Sequence, residues 1–269
     1  MKVSVVIPHY NSPDTLRALL GQLRTDSFDA IVVLDDCSQD QLALGAIAAT
    51  FPEATIHRGA HNVGAGANRN RALECVNEGV VWFVDADMEL PAQDNARRLR
   101  ELHAVHSNSM IGGLVLNKEG QQMGWNYGHE MHPVHDAVFA TLTSFLSDER
   151  AWAQLTERGW DYAWLRPEEK TPQRRQVDWV SEANFSLDSS LFRAVGGYDR
   201  AFRYHEGQDL AHRIRATGAQ VWFDPSVVTH HLEVDVRGAR RNDEFEHAQQ
   251  LFYEKHYGVD PKVQMWLKE

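Results

Sequence analysis

Strand signals and helix signals alternate along the first 115 residues of the chain. Continuous apolar, β-branched runs at Val3 to Ile7, Ile31 to Leu34 and Val80 to Val84 are typical of strands buried on both faces. Leucines recur at helical spacing from Leu16 to Leu23, which predicts a helix with one apolar face. Parallel strands need such crossover helices between them. The sequence therefore predicts an α/β fold with a doubly wound, mostly parallel central sheet flanked by helices.

Local signals indicate where other elements begin and end. Ser38 with Gln41 resembles a capping box for the second helix. A short third strand is predicted from Ala54 to His57, and the helix after it is predicted to continue to about Glu78. A last pair of strands is predicted at Val221 to Phe223 and Val227 to His231.

Short polar motifs follow three of the predicted strands directly. They occupy residues 8–11, 35–38 and 85–87. Because the carboxyl ends of parallel strands meet at one edge of a sheet, we expect these motifs to lie close together. Ligands of doubly wound folds bind at that edge, so it is the predicted functional site.

The charge of the chain limits its partners. Its 38 acidic residues exceed its 27 basic residues and give a formal net charge of −11. Broad binding to nucleic acid or to an anionic membrane needs a basic surface, so neither is expected. The N-terminal apolar run is too short for a signal peptide, and no segment approaches the roughly 20 apolar residues of a membrane span. With only Cys37 and Cys75, far apart, a reducing and cytoplasmic location is expected.

Asp85 and Asp87, separated by Ala86, stand at the end of the strongest strand signal. Mg²⁺ and Mn²⁺ prefer carboxylate oxygens and leave positions for phosphate oxygens, so such a pair suits a metal-bound diphosphate. An isolated Asp-x-Asp is more often a turn with solvated carboxylates. The interpretation therefore depends on the motifs around it.

Those motifs occur in a characteristic order. In chain order they are Val5-Val6-Ile7-Pro8-His9-Tyr10-Asn11, Asp35-Asp36-Cys37-Ser38, Asn62-Val63-Gly64 with Arg69-Asn70, Asp85-Ala86-Asp87, Glu182-Ala183-Asn184, Phe192 through Asp199, Asp209-Leu210 with Arg213, and Pro225 with His230-His231. Together they resemble the family 2 glycosyltransferases, whose fold is the nucleotide-diphospho-sugar transferase fold called GT-A. The resemblance implies transfer of a sugar from a nucleoside diphosphate sugar to a hydroxyl acceptor, with Mn²⁺ or Mg²⁺ as cofactor.

The resemblance also implies which residues contact the donor. Pro8, Tyr10 and Asn11 would line the nucleoside pocket, which Asp35 would shape, and Asp36 would accept a hydrogen bond from the base. Two of these have a structural alternative, since Pro8 can simply end a strand and Asp36 can cap the following helix. The remaining implied donor contacts are Arg69, Asp85, Ala86 and Asn184. Trp179, close to Asn184 in the sequence, is implied as a further donor contact.

For the metal, the resemblance implies that Asp87 binds the ion directly and that Asp85 lies nearer the ribose or donor sugar. A further ligand in this family is often a histidine after the late strand. His230 and His231 both qualify, but adjacent strand residues point to opposite faces, so only one of them can face the site. The spacing from Pro225 favours His231.

The sequence departs from the family at the position of the general base. Inverting members usually show Glu-Asp-x-Asp-Leu and use the first Asp as base, but this chain has Glu206-Gly207-Gln208-Asp209-Leu210. Inversion needs a carboxylate within hydrogen-bond reach of the attacking hydroxyl. Glu206 is the leading candidate and Asp209 the second, although Asp209 can instead cap its helix or pair with Arg213. A retaining reaction is the alternative if no base replaces Gly207.

Residues 117–178 are rich in aromatic side chains and weak in periodicity. Trp125 and Tyr127 lie in a loop-like stretch and are candidate acceptor contacts, with Trp179 as a further one. Three tryptophans with a more helical spacing are predicted to be core residues: Trp152, Trp160 and Trp164. The acceptor can be a saccharide, a small molecule or a lipid-linked precursor that brings the protein to a membrane surface, and the oligomeric state is not predicted.

The chain has no linker-like stretch rich in glycine, serine or proline, so residues 1–269 are predicted to form a single domain. Residues 1–115 would be its nucleotide-binding half and residues 116–235 its acceptor and catalytic half. Residues 236–269 would be a helical tail, with an amphipathic helix from Asp243 to Tyr257.

Two other functions fit parts of the sequence. A catalytically inactive nucleotide-sugar binding protein is suggested by Gly207. A nucleotidyltransferase would need a glycine-rich loop with lysine or arginine directly after the first strand, and the segment Pro8-His9-Tyr10-Asn11-Ser12 argues against it.

Overall fold

The computed structural model describes residues 1–91, 94–133, 172–232 and 242–259. The predictions for Trp152, Trp160 and Trp164 lie outside these residues, as does the part of the tail beyond residue 259. Within the described ranges, no helix is long and apolar enough to cross a membrane.

The described strands form one large sheet and a small two-stranded ribbon. In chain order they are β1 (Val3–His9), β2 (Ala30–Asp35), β3 (Ala54–Arg58), β4 (Val80–Val84), β5 (Met88–Glu89), β6 (Ser109–Leu116), β7 (Tyr127–Gly128), β8 (Arg175–Gln176), β9 (Trp179–Val180), β10 (Asn184–Asp188) and β11 (Gln220–His231). The large sheet has the order β3-β2-β1-β4-β10-β6-β11-β5, with β8 paired to β11, and the ribbon is β7-β9.

Most of the large sheet is parallel. β1 pairs in parallel with β2 and β4, β2 with β3, and β6 with β11. β10 lies antiparallel to both β4 and β6, and the two-residue strands β5 and β8 lie antiparallel to β11. The predicted mostly parallel α/β fold is confirmed. Because β1, β2 and β4 run in the same direction, the motifs that follow them lie at one edge.

Helices cover both faces of the sheet. They are α1 (Pro13–Leu23), α2 (Gln41–Thr50), α3 (Ala65–Arg69), α4 (Ala72–Cys75), α5 (Asn95–Val105), α6 (Ser189–Ala194), α7 (Glu206–Ala216) and α8 (Asn242–Tyr257). Successive strand residues point to opposite faces. Val5 and Ile7 therefore pack in one apolar cluster with Leu16 of α1, whereas Val6 packs in a second with Leu210 of α7.

The predicted capping box of α2 is wrong. Asp40 is the N-cap, and its carboxylate accepts a hydrogen bond from the Ala43 backbone N–H at 2.9 Å. The Ser38 hydroxyl donates instead to Asp35, so it holds the loop after β2 and does not cap the helix.

The single helix predicted to reach Glu78 is two short helices, α3 and α4. Asn70 lies at the break. Its side-chain Oδ1 accepts a hydrogen bond from the Tyr198 backbone N–H at 2.7 Å, and its Nδ2 donates to the Tyr198 carbonyl at 2.8 Å. Arg71 donates to the carbonyls of Asp35 and His57. These contacts to other loops hold the chain away from a continuous helical path.

The predicted last pair of strands is one strand, β11, with a register shift between Phe223 and Val228. Pro225 lies in that shift, and proline has no N–H to donate to a sheet. The predicted C-terminal helix is confirmed as α8, where Phe252 and Tyr253 are buried.

Candidate functional site

Asp35 holds together the loops that follow β1 and β2. Its carboxylate contacts His9 Nδ1 at 2.9 Å and accepts hydrogen bonds from the hydroxyl and backbone N–H of Ser38. The side chain has no exposed surface. Burial raises the pKa of Asp35, but the hydrogen bonds from His9 and Ser38 outweigh it and leave that pKa below its ordinary value. Asp35 therefore stays ionised, and from its buried position it holds the ends of β1 and β2 together at this edge of the sheet.

The loop after β1 carries the other residues predicted to line a nucleoside pocket. Tyr10 in this loop is partly exposed, as is Pro8, which lies near the end of β1 before it. Asn11 has a φ of 50°, its N–H donates to Ser38 Oγ, and its side-chain oxygen accepts from the Gln39 N–H, both at 2.8 Å. Asn11 and Ser38 also line an open depression of about 340 Å³.

Asp36 joins the end of β2 to the turn before α3. Its two oxygens accept hydrogen bonds from the backbone N–H groups of Val63 and Gly64, each at 2.9 Å. Gly64 has a φ of +88°, a conformation that favours glycine. Burial raises the pKa of Asp36 above its ordinary value, and the two N–H groups offset this only in part. Asp36 thus stabilises the turn before α3 and does not cap α2.

Arg69 is a buried cation that binds Asp85. Its Nη2 lies 2.6 Å from Asp85 Oδ1, and its Nη1 lies 3.6 Å from Glu182 Oε1. Burial lowers the pKa of Arg69, but the acidic groups around it, Asp85 foremost, together raise it more, so the pKa is above its ordinary value. The side chain of Arg69 is 3% exposed and that of Asp85 is 19% exposed. Arg69 therefore orients Asp85, and Asp85 presents the accessible surface.

Asp87 and His231 approach each other on the same edge. Asp87 Oδ2 lies 3.6 Å from His231 Nε2, and the side chains are 17% and 20% exposed. Ala86, between the two aspartates, packs into the core. His230 pairs in register with Glu89 of β5, and its side chain points to the other face of the strand. Of the two predicted histidines, His231 is the one that faces Asp87.

Glu182 fills the space beside Gly207. A Cβ atom built on Gly207 would lie 2.6 Å from Glu182 Cγ and 2.8 Å from Glu182 Cδ. Burial and the neighbouring Glu206 raise the pKa of Glu182 to about 8. Glu182 belongs to a motif of the resemblance, which implies no role for it. The sequence signal was indirect, because only the missing side chain at Gly207 leaves room for this carboxylate.

The two predicted base candidates differ in their surroundings. Glu206 is 7% exposed and lies against Gly66 of α3. Asp209 has no exposed side-chain surface, and its oxygens bind Arg213, Lys255 and His256. Asp209 thus pairs with Arg213, which is the structural alternative to a role as base. Asp209 is therefore left out of the proposed site.

Asn184 also faces away from the site. Its Oδ1 accepts from Trp82 Nε1 at 2.9 Å, its Nδ2 donates to the Val227 carbonyl at 3.1 Å, and it is fully buried. A side chain with these partners in the core has no surface for a donor sugar, so we leave Asn184 out of the site as well.

The three predicted acceptor residues lie in different surroundings in the structure. Trp125 is partly exposed and packs edge-on against His231, with ring centroids 5.6 Å apart. Tyr127 is buried against Phe223, with ring centroids 4.5 Å apart. Trp179 donates its Nε1–H to the His129 carbonyl at 2.8 Å. Trp125 therefore contacts one member of the Asp87–His231 pair.

The family model for glycosyl transferase family 2 matches residues 4–171, well over half of the chain. The chain belongs to glycosyl transferase family 2. The matched region contains both strand-end acidic motifs and Arg69, whereas Gly207 and His231 lie beyond it.

Two bacterial relatives in this family are similar in sequence. The chain is 37% identical over 93 residues to the uncharacterized glycosyltransferase YibD of Escherichia coli K12, which covers 33% of this chain and 27% of YibD. It is 24% identical over 232 residues to the pre-mycofactocin glycosyltransferase of Mycobacterium tuberculosis, which covers 85% of this chain and 42% of that protein. The matches thus span less than half the length of either relative.

Solved glycosyltransferase structures share the fold. S. aureus TarS 1–349 in complex with UDP superposes with a TM-score of 0.60 at 15% identity, covering 99% of this chain and 69% of that one. GalNAc-T7 with UDP, GalNAc and Mn²⁺ gives a TM-score of 0.62 at 14% identity, covering 100% of this chain and 54% of that one. The predicted GT-A fold is confirmed by these similarities.

Proposed function

We propose that this chain transfers a sugar from a nucleoside diphosphate sugar to a hydroxyl group of an acceptor. The observation that carries the proposal is the arrangement of the strand-end aspartates. Asp85 is held by the buried Arg69, and Asp87 faces His231. Both lie at the carboxyl edge of the sheet, where ligands of such folds bind.

The nucleoside would bind at the ends of β1 and β2, against Pro8, Tyr10 and Asn11. The structural neighbours TarS and GalNAc-T7 were both solved with UDP, which makes UDP the first nucleotide to test. Arg69 is too deeply buried to reach a phosphate, so its role would be to aim Asp85 at the ribose or the donor sugar.

Asp87 and His231 fit a divalent cation such as Mn²⁺ or Mg²⁺. They supply one carboxylate and one imidazole, and diphosphate oxygens and water would complete the coordination. No group of three or more His, Cys, Asp or Glu side chains that could hold a metal occurs in the described part of the chain. A site that relies on substrate oxygens agrees with that finding. When bound, the cation would neutralise negative charge on the departing diphosphate.

Whether the reaction inverts or retains the configuration of the anomeric carbon depends on a carboxylate near the acceptor hydroxyl. Inversion requires a base that removes the hydroxyl proton while the hydroxyl oxygen attacks the anomeric carbon. The bond from that carbon to the diphosphate breaks, and its electron pair leaves with the diphosphate. The sequence predicts Glu206 as this base, and Glu182 lies beside it. A retaining, front-face reaction is the alternative that Gly207 favours, and the anomeric configuration of the product distinguishes the two.

The hydroxyl acceptor would approach beside Trp125. An aromatic face can pack against the apolar face of a sugar ring. Trp125 is partly exposed and contacts His231, so an acceptor bound there would lie next to the proposed metal ligands. A lipid-linked acceptor would bring this edge to a membrane surface.

The test is a screen of nucleotide sugars with and without MnCl₂. We expect one nucleotide sugar and its nucleoside diphosphate to raise the melting temperature only when Mn²⁺ is present. Release of the nucleoside diphosphate, with water or an added saccharide as acceptor, should then follow for that donor. Binding without any release would instead support the inactive binding protein, and no stabilisation by any donor in a folded sample would refute the proposal.

A further inference from the structure

Glu182 lies where the missing side chain at position 207 would be. A Cβ on Gly207 would be 3.1 Å from Glu182 Oε2 and closer still to its Cγ and Cδ. Real Cβ atoms essentially never approach other atoms as closely as 2.6 Å, so any side chain at 207 would have to displace Glu182. Gly207 and Glu182 are therefore mutually dependent, since the glycine makes room for the carboxylate.

Arg69 fixes the position of Glu182 in this space. Arg69 Nη2 donates to the Glu182 backbone carbonyl at 3.4 Å, and Arg69 Nη1 lies 3.6 Å from Glu182 Oε1. The same guanidinium binds Asp85 at 2.6 Å. Glu182 is thus linked through one buried cation to the carboxylate at the end of β4.

Glu182 is also more accessible than the neighbouring Glu206. Its side chain is 22% exposed, whereas Glu206 as a whole is 7% exposed. The Cβ and Cγ of Glu206 lie against Gly66, at 3.5 and 3.3 Å from where a Cβ of Gly66 would be. Glu182 Oε1 is itself enclosed, so a hydroxyl acceptor would have to approach this carboxylate from the side of Oε2.

On the proposed transferase function, we infer that Glu182 is the general base, taking the place of the carboxylate that inverting relatives carry at the position of Gly207. Glu182 accepts the proton of the acceptor hydroxyl as the hydroxyl oxygen bonds to the anomeric carbon. The diphosphate departs with the electron pair of the broken bond. The negative charge of Glu206 makes the neighbouring Glu182 carboxylate a stronger proton acceptor.

The surroundings of Glu182 suit a base that works near neutral pH. Burial and the charge of Glu206 raise the pKa of Glu182 to about 8. Its carboxylate is therefore a stronger proton acceptor than that of an ordinary glutamate. A base is most effective when its pKa lies near the operating pH.

Four variants test the inference with the donor and MnCl₂ that the screen selects, and with release of the nucleoside diphosphate as readout. Glu182→Gln should lower kcat by about 10²- to 10⁴-fold, the usual contribution of a general base, while UDP with MnCl₂ still stabilises the folded protein. Glu206→Gln should keep kcat within about tenfold of the parent value and move the pH midpoint of the rate to lower pH. The double variant Glu182→Ala, Gly207→Asp should recover at least about tenfold over Glu182→Ala, because removing Glu182 makes room for a carboxylate at 207.

The outcomes separate this inference from the function on which it rests. If the parent protein turns over and Glu182→Gln does so at a near-normal rate, or if Glu206→Gln causes the larger loss, the inference is wrong and the transferase function stands. If the parent protein neither binds UDP with Mn²⁺ nor releases nucleoside diphosphate from any donor, the function fails and the inference falls with it. Glu101→Gln, on the exposed face of α5, is the matched control and should leave kcat unchanged.

Discussion

Asp87 Oδ2 and His231 Nε2 lie 3.6 Å apart across the junction of β5 and β11. The backbone brings them together, because His231 pairs in register with Met88 and the Leu232 N–H donates to the Asp87 carbonyl at 2.9 Å. Two side chains held by a strand ladder need little reorganisation to bind a common ion. This relationship turns a weak sequence motif into a defined candidate site.

Replacing His231 with alanine should weaken Mn²⁺ binding in the presence of UDP. Even the loss of groups that only support metal ligands costs about 10- to 100-fold in affinity, so the loss of a ligand should cost at least about tenfold. Isothermal titration with MnCl₂ at saturating UDP measures this. His230→Ala is the matched control, because its side chain points to the other face of β11. Equal effects of the two substitutions would contradict the assignment of His231.

Replacing Arg69 with methionine should destabilise the fold strongly. Arg69 is buried, and its loss leaves Asp85 and Glu182 without their cation. Breaking a buried ion pair by removing one partner typically costs about 3–5 kcal/mol in the free energy of unfolding. Urea denaturation measures the loss. Arg97→Met, which breaks an exposed pair with Glu101, is the control and should cost less than about 1 kcal/mol.

The strand-end motifs could be predicted from sequence because they depend on local patterns. Apolar runs followed by polar residues mark the ends of β1, β2 and β4, and parallel order puts those ends at one edge. The direction of a side chain in the assembled core is not local. Asn184 and Asp209 stand in recognisable motifs, yet Asn184 bonds to Trp82 in the core and Asp209 binds Lys255 of α8.

The position of the proposed base shows the same limit. The sequence revealed that a carboxylate was missing at Gly207, and it therefore favoured the nearest glutamate along the chain, Glu206. The residue that fills the gap, Glu182, comes from the loop before β10 and reaches Gly207 only through tertiary packing. A glycine in place of an expected side chain is thus a signal to search for a replacement in space.

Replacing Asp209 with asparagine should destabilise the attachment of α8. Asp209 accepts from Arg213 in its own helix and from Lys255 and His256 in α8. Its cationic partners are partly exposed, so the cost in the free energy of unfolding should be about 2–3 kcal/mol, below that of a fully buried pair. Urea denaturation gives the free energy, and limited proteolysis reports the loosening of α8. Loss of turnover with unchanged stability would instead return Asp209 to the role of base.

The stability of the parent protein relative to Glu182→Gln should fall as the pH rises from about 5 to 8. The pKa of Glu182 is raised from its ordinary value of 4.5 to about 8, so between these values the folded state keeps a proton that the unfolded state has released. Stability falls with pH wherever the folded state binds more protons. Urea midpoints at pH 5.5 and 8.5 test this, since glutamine at 182 cannot titrate. A difference between the two proteins that is the same at both pH values would show that Glu182 is an ordinary, solvated carboxylate.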